Sequence, residues 1–154
     1  MRFFGKKPLG ASEMPAYYGG LWERTTTQSG LTANAYNPVV WDAAPSGFTT
    51  DGALVYPGRI GYWDYSACLY LSRSTYAAAR ELGLRIVVNG SILPGTYGVV
   101  WAGDFLISLQ VSGQFALANA GHSCYLAPYI GGDDGWQIEA SAFNWLQLSW
   151  RAPL

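Results

Sequence analysis

Apolar and polar residues alternate with a period of two along several stretches of this 154-residue chain. The longest alternation runs over residues 60–73 and separates two sets of side chains. One set is Trp63, Tyr65, Ala67, Leu69 and Leu71, and the other is Tyr62, Asp64, Ser66, Cys68 and Tyr70. Because neighbouring side chains of a strand point to opposite faces, this pattern predicts a β-strand rather than a helix. Shorter alternations predict further strands over residues 84–88, 105–111, 115–117, 124–130 and 145–150.

The segments between these strands are rich in glycine and other turn residues. Asn89-Gly90 follows the strand over residues 84–88 and is typical of a tight hairpin turn. Residues 74–83 are the one stretch that favours a helix, because Ser74 is a capping residue, three alanines follow and Gly83 is a helix terminator. A succession of strands without regular helices between them argues against a parallel sheet and predicts an all-β antiparallel sandwich or barrel.

Charge and composition narrow the function classes. Nine basic residues against ten acidic ones give a net charge of −1, so the chain lacks the basic field of a nucleic-acid-binding protein. Half of the residues are hydrophobic and 16% are aromatic, which excludes a disordered chain and indicates a surface covered by other subunits. Residues 105–132 carry no charged side chain, but their polar residues and glycines argue against a membrane span.

Few residues suit metal or covalent chemistry. Two cysteines and one histidine are too few for a four-ligand zinc site, and free thiols indicate synthesis in a reducing compartment. On a strand, His122 and Cys124 would point the same way, either as a thiol–imidazole pair or as a packed thiol beside a hydrogen-bonded imidazole. Asp133 and Asp134 lie in a glycine-rich loop that either binds calcium or is a solvated turn. We expect no enzymatic activity, no metal and no cofactor.

Residues 1–18 differ from the rest of the chain. Their basic side chains outnumber the single acid, Glu13, and their prolines disfavour regular structure. Their apolar residues are numerous for a solvated tail, so the segment is either a disordered terminus or an arm that docks on a neighbour. The basic and apolar residues proposed to make that contact are Arg2, Phe3, Phe4, Lys6, Lys7, Leu9 and Met14.

Several motifs resemble one family of jelly rolls. Arg80-x-x-x-Leu84-Arg85-Ile86-x-x-Asn89-Gly90 resembles a strand and turn of the tumour necrosis factor-like fold, which complement globular heads share. The aromatic strand around Gly61-Tyr62-Trp63 precedes it, as in that family. Phe115-x-Leu117-x-x-x-Gly121 followed by Tyr125-x-Ala127-x-Tyr129 resembles the long strand pair of that family, although Gly121-His122 replaces its frequent Gly-Asp. The resemblance implies a TNF-like jelly-roll β-sandwich over residues 19–154.

The resemblance also implies a function. Jelly-roll heads with neither a stalk nor an anchor are similar to those of bacteriophage particles, where trimers decorate capsids or end tail fibres. We therefore expect a virion protein made in the bacterial cytoplasm, attached by its arm to a capsid, portal, tail or fibre protein. The alternatives are a module that binds a host surface receptor or glycan and, less favoured, a small hydrolase.

The expected trimer interface follows from the same resemblance, in which the strands over 124–130 and 145–150 share the sheet that lines the threefold axis. Their outward-facing residues would then contact the other two subunits. A sheet face covered by the arm of the same chain is the alternative to a trimer. The residues expected at the interface are Tyr125, Tyr129, Trp145 and Gln147.

Overall fold

The computed structural model describes residues 18–73, 80–100, 106–132 and 135–154, with backbone alone for residues 96–100. These residues form β-strands and connecting loops, with no helix among them. The strands are β1 (Gly19–Glu23), β2 (Ala35–Tyr36), β3 (Thr49–Asp51), β4 (Leu54–Tyr56), β5 (Gly61–Arg73), β6 (Arg80–Val88), β7 (Ser91–Ile92), β8 (Thr96–Val100), β9 (Leu106–Leu117), β10 (Cys124–Ile130), β11 (Trp136–Ile138) and β12 (Trp145–Ala152). The predicted all-β fold is confirmed.

The strands form two antiparallel sheets. In the first sheet the order is β1-β12-β5-β11, and β9 pairs with β5 along its other edge. In the second sheet the order is β3-β4-β10-β6-β7, with β2 beside β10 and β8 beside β6. Two sheets that each carry an apolar face are stable when those faces pack together as a sandwich.

The core lies between the two sheets. On β5 the predicted inward set is buried throughout, and Trp63, Leu69 and Leu71 have no exposed surface. The inward positions of the other long strands supply the rest, including Ile86, Leu126 and further leucines of β6, β9 and β12. Period-two burial along these strands is the expected behaviour of a sheet with one face covered.

The turn after β6 confirms the hairpin prediction. Asn89 and Gly90 both have positive φ angles, 46° and 78°, which the two central residues of a type I′ turn require. The hairpin brings Val88 opposite Ser91 at the start of β7.

The helix predicted over residues 74–83 is wrong where the structure describes it. Arg80 already belongs to β6, and Leu82 pairs with Ile130 of β10 on one side and with Gly98 of β8 on the other. Residues 74–79 lie outside the described part. Pairing on both edges, with Leu82 fully buried, outweighs the weak helix propensity of a short alanine run.

The two short strands predicted over residues 105–111 and 115–117 are one strand, β9. Gly113 lies in its middle, opposite Tyr65 of β5. A side chain at position 113 would meet the Tyr65 ring, because an added Cβ would lie 2.8 Å from its hydroxyl oxygen. The glycine therefore accommodates a large neighbour within a continuous strand, although in the sequence it resembles a break.

A further correction concerns sheet membership. The strand over residues 124–130 is β10 of the second sheet, whereas the last strand, β12, belongs to the first. The expected long strand pair is also absent from the described residues, since β9 pairs with β5 and β10 pairs with β6. Alternation along a strand specifies which side chains face the core, but it carries no information about which sheet supplies the strand's partners.

The first residue before β1 already belongs to the folded domain. Tyr18, counted as the end of the predicted arm, packs its ring against Phe48 and Trp63 at centroid distances of 5.3 and 5.7 Å. Its hydroxyl donates a hydrogen bond to the Pro57 carbonyl. The other predicted arm residues lie outside the described part.

One buried polar side chain joins three segments of the first sheet. Asn144, with no exposed surface, precedes β12. Its Oδ1 accepts a hydrogen bond from the Tyr70 backbone N–H at 2.7 Å, and its Nδ2 donates to the carbonyls of Arg24 and Glu139. Because all these groups are satisfied, the network fixes the chain at the position from which Phe143 and Trp145 project outward.

Candidate interaction surfaces

The outward face of the first sheet has a tryptophan near its centre. Trp145 of β12 lies opposite Cys68 of β5, and the next outward residue, Gln147, lies opposite Ser66. Gln110 of β9 continues the row, since it pairs with Cys68. Trp145 is half-buried and Gln147 is exposed. We call this surface the Trp145 face and define it by the outward residues Leu21, Tyr62, Ser66, Cys68, Leu106, Gln110, Ser112, Trp145 and Gln147, with Ile60 and Phe143 at its rim.

Large apolar side chains concentrate around this face. Phe143 is 62% exposed and packs against Tyr70, an outward residue of β5, at a centroid distance of 5.5 Å. The other strongly exposed apolar residues of the face are Leu21, Ile60, Tyr62 and Leu106. Single exposed apolar residues are ordinary, but several on one sheet face indicate a surface that another molecule covers.

Trp145 forms a ridge between two depressions of the Trp145 face. The larger depression, about 510 Å³, is lined by side chains of β5 and β9 and by Pro94 and Gly95. The smaller one, about 280 Å³, lies toward β1 and is lined by Leu21, Glu23 and Ala142. Trp145 lines both depressions, so side chains of a partner can contact it in either one.

The outward face of the second sheet carries tyrosines around one arginine. Tyr36 of β2 pairs with Tyr129 of β10, and their ring centroids are 5.2 Å apart. The Arg85 guanidinium of β6 lies 3.1 Å above the Tyr36 ring. Tyr125 lies on the same face near the start of β10. The fully buried Ala127 lies between Tyr125 and Tyr129 on that face. We call this surface, defined by Tyr36, Arg85, Tyr125, Ala127 and Tyr129, the tyrosine face.

The predicted trimer interface is therefore divided between opposite sides of the sandwich. Trp145 and Gln147 lie on the Trp145 face, whereas Tyr125 and Tyr129 lie on the tyrosine face. All four point away from the core, as the alternation predicted, but they do not form one surface. Sequence reasoning missed Tyr36 and Arg85, whose proximity depends on the pairing of β2 with β10.

The predicted thiol–imidazole pair does not have the chemistry of a nucleophile and a base. Cys124 is 1% exposed in the core, and burial raises the pKa of its thiol to about 12. His122 lies in the turn before β10, where its backbone N–H bonds to the Asn119 carbonyl, and not on the strand itself. A thiol that stays protonated at neutral pH is a packed residue rather than a nucleophile.

The buried Cys124 thiol predicts a pH dependence of stability. Since the thiol pKa rises from 9.0 to about 12 on folding, the unfolded chain loses this proton first and stability falls as pH increases from 9. In urea unfolding between pH 9 and 11, the free energy of unfolding should fall more steeply with pH for the wild type than for Cys124→Ala, by up to about 1.4 kcal/mol per pH unit. Parallel pH profiles of the two proteins would contradict the assignment.

Other predicted sites are not formed by the described residues. Asp133 and Asp134 lie outside the described part of the chain, and so do the predicted attachment residues of the arm. Within the described ranges, no three acidic, histidine or cysteine side chains group closely enough to hold a metal ion. Among these residues there is also no helix long and apolar enough to cross a membrane.

Solved structures share the architecture of this chain at low sequence identity. Murine APRIL at pH 5.0 is 13% identical, with a TM-score of 0.64 over 88% of this chain and 99% of that one. Eiger TNF from S. frugiperda is 14% identical, with a TM-score of 0.63 over 90% and 94% of the two chains. Murine APRIL at pH 8.5 is 12% identical, with a TM-score of 0.59 over 88% and 99%. The fold is thus the TNF-like jelly roll.

The comparisons by sequence add no closer relationship. No protein-family model matches the chain, and no curated protein sequence matches it.

Proposed function

We propose that this protein is a non-catalytic, homotrimeric structural component of a bacteriophage virion. In this proposal it decorates the capsid or forms part of a head or tail fibre or of a minor tail assembly. The Trp145 face joins the three copies, and the amino-terminal arm attaches them to the particle.

The Trp145 face carries the oligomer part of the proposal. Its exposed apolar residues, with Trp145 between two depressions, have the character of a subunit interface rather than of a solvated surface. An aromatic residue removed from water contributes roughly 25 cal/mol per Å² of buried apolar area before association costs. Closed cyclic symmetry covers such a face on every copy without leaving an open filament.

The virion part rests on the resemblance to the small trimeric heads of phage particles. In this part of the proposal, the basic and apolar residues of the arm, such as Phe3, Lys6 and Leu9, contact a particle protein. Tyr18 supports this geometry, because its packing on Phe48 and Trp63 anchors the arm's last residue to the domain.

Deletion of residues 1–15 should abolish attachment while leaving the trimer unchanged. Protein added to phage particles that lack it should co-sediment with them when full-length and remain in the supernatant when truncated. The solution masses of both proteins, measured in parallel, separate loss of attachment from loss of assembly. Truncated protein that occupies particles to the wild-type level would contradict the role of the arm.

Recognition of a glycan is a second candidate function. The observation that favours it is the tyrosine face, where aromatic rings share a sheet surface, on the opposite side from the Trp145 face, with an arginine whose buried Nε has no hydrogen-bond acceptor among the described residues.

A further inference from the structure

Arg85 is held in an unusual position for a charged side chain. Its guanidinium carbon lies over the Tyr36 ring, 3.1 Å from the ring centroid, and its Nε is buried without a hydrogen-bond acceptor among the described residues. Within the described part of the chain, no carboxylate forms an ion pair with it. By contrast, the half-exposed Arg151 lies 3.6 Å from an Asp64 carboxylate oxygen. Among the described residues, the tyrosine face thus presents a positive charge that no carboxylate pairs with.

The stacking on Tyr36 determines how a ligand can reach Arg85. One face of the guanidinium is covered by the tyrosine ring and its Nε is buried, so the donors that a ligand can reach are the terminal N–H groups at the edge of the plane. A carboxylate matches this edge, because it accepts two parallel hydrogen bonds from a guanidinium. Charge and geometry together favour an anionic ligand of the carboxylate class.

The two tyrosines of β10 supply the apolar and hydroxyl groups of the tyrosine face. Tyr125 and Tyr129 are half-buried, and their hydroxyls make no hydrogen bond within the described residues. Tyr129 follows Tyr125 by four positions along β10, which places the two residues about 13 Å apart at the rise of a strand. Aromatic rings with free hydroxyls offer apolar contact and a polar tip at two separated points. An extended chain fits this spacing better than a single small molecule.

The backbone around the tyrosine face disfavours a peptide as that chain. Extended peptides commonly dock by adding a strand to a free sheet edge. Here β10 is paired along one edge with β6, and along the other the backbone N–H groups of Asn37 and Val39 bond to its carbonyls. The groups left to contact a ligand are the tyrosine rings, their hydroxyls and the Arg85 guanidinium. Tyrosine rings and hydroxyls suit sugar rings, and the guanidinium suits a carboxylate on a sugar.

We propose that the tyrosine face binds a carboxylate-bearing polysaccharide, with Arg85 holding a carboxylate and Tyr125 and Tyr129 contacting sugar rings. The proposal deepens the glycan-binding candidate function and does not depend on the trimer. If the trimer forms, three such faces act together and raise the avidity for a repeating polymer.

The test uses the full-length protein and polygalacturonate, with neutral dextran and poly-glutamate as comparison polymers. We expect binding to polygalacturonate and not to dextran at the same ionic strength. Arg85→Gln should weaken binding about tenfold or more, the equivalent of one lost charged hydrogen bond. Arg85→Lys should restore only part of the affinity, because the ammonium lacks the planar edge. Arg151→Gln, which removes an arginine elsewhere on the surface, is the matched control and should bind as the wild type does.

Three outcomes would overturn the proposed class of ligand. They are absence of binding to polygalacturonate, equal binding to dextran, and binding to poly-glutamate as tight as to polygalacturonate, which would point to an acidic protein partner. Equal losses in Arg85→Gln and Arg151→Gln would also reject the site in favour of general charge attraction. Solution mass and circular dichroism of each variant show whether fold and assembly persist, so failure here is distinguishable from failure of the proposed trimer.

Discussion

Replacing Asn144 with aspartate is expected to lower the free energy of unfolding by about 3–5 kcal/mol, the effect of an uncompensated buried charge. The substitution preserves size but removes both amide protons, which bond to the carbonyls of Arg24 and Glu139. The new carboxylate oxygen would face those carbonyls in a site with no exposed surface. Chemical denaturation with fluorescence detection measures the loss.

Asn119→Asp is the matched control for this prediction. Asn119 is exposed, and its Oδ1 accepts a hydrogen bond from the Gly121 N–H at 2.8 Å, a role that an aspartate oxygen also performs. We expect its unfolding midpoint to stay close to that of the wild type, since surface substitutions usually change stability by less than about 0.5 kcal/mol. Equal midpoints for Asn144→Asp and the wild type would show that the Asn144 network does not stabilise the fold.

Replacing Trp145 with aspartate is expected to dissociate the proposed trimer. Trp145 is half-buried within one subunit, so on the order of 100 Å² of a tryptophan's surface remains for a partner to cover. That area corresponds to roughly 2.5 kcal/mol per copy, and placing a charge in the interface costs more. At micromolar concentration we expect mainly the 16.7 kDa monomer.

Tyr125→Asp is the control, because Tyr125 lies on the opposite sheet from Trp145. We expect this variant to keep the trimer mass in light scattering or native mass spectrometry. A wild-type protein that is monomeric at micromolar concentration would contradict the trimer itself. A trimer that persists in Trp145→Asp and dissociates in Tyr125→Asp would instead indicate that the interface lies on the tyrosine face.

Alternation along the sequence was enough to predict much of the fold. The inward residues of β5, including Trp63 and Leu69, follow directly from period two, because burial on one face is a local property of a strand. Arg80 and Leu82 show the limit of such reasoning. An alanine-containing segment beside them favours a helix locally, while pairing with β8 and β10, which no local pattern reveals, makes these residues a strand.

The candidate surfaces were predictable to a smaller extent. Trp145 and Gln147 were identified as outward residues, but their neighbours on the Trp145 face come from strands distant in sequence. The cation–aromatic contact between Arg85 and Tyr36 had no local signal, since neither residue belongs to a motif with the other. Predicting it would have required the pairing of β2 with β10, which depends on tertiary structure rather than on the short strand's own residues.

The pairing of β1 with β12 has a consequence for the protein's synthesis. Trp22 of β1 lies opposite Leu146 of β12, so the first sheet cannot be completed until the last strand has left the ribosome. Before that moment β5 lacks its β12 neighbour, and the aromatic residues of the nascent sheet stay accessible to chaperones and to other chains. The first sheet is therefore completed only when its last-made strand, β12, inserts between β1 and β5.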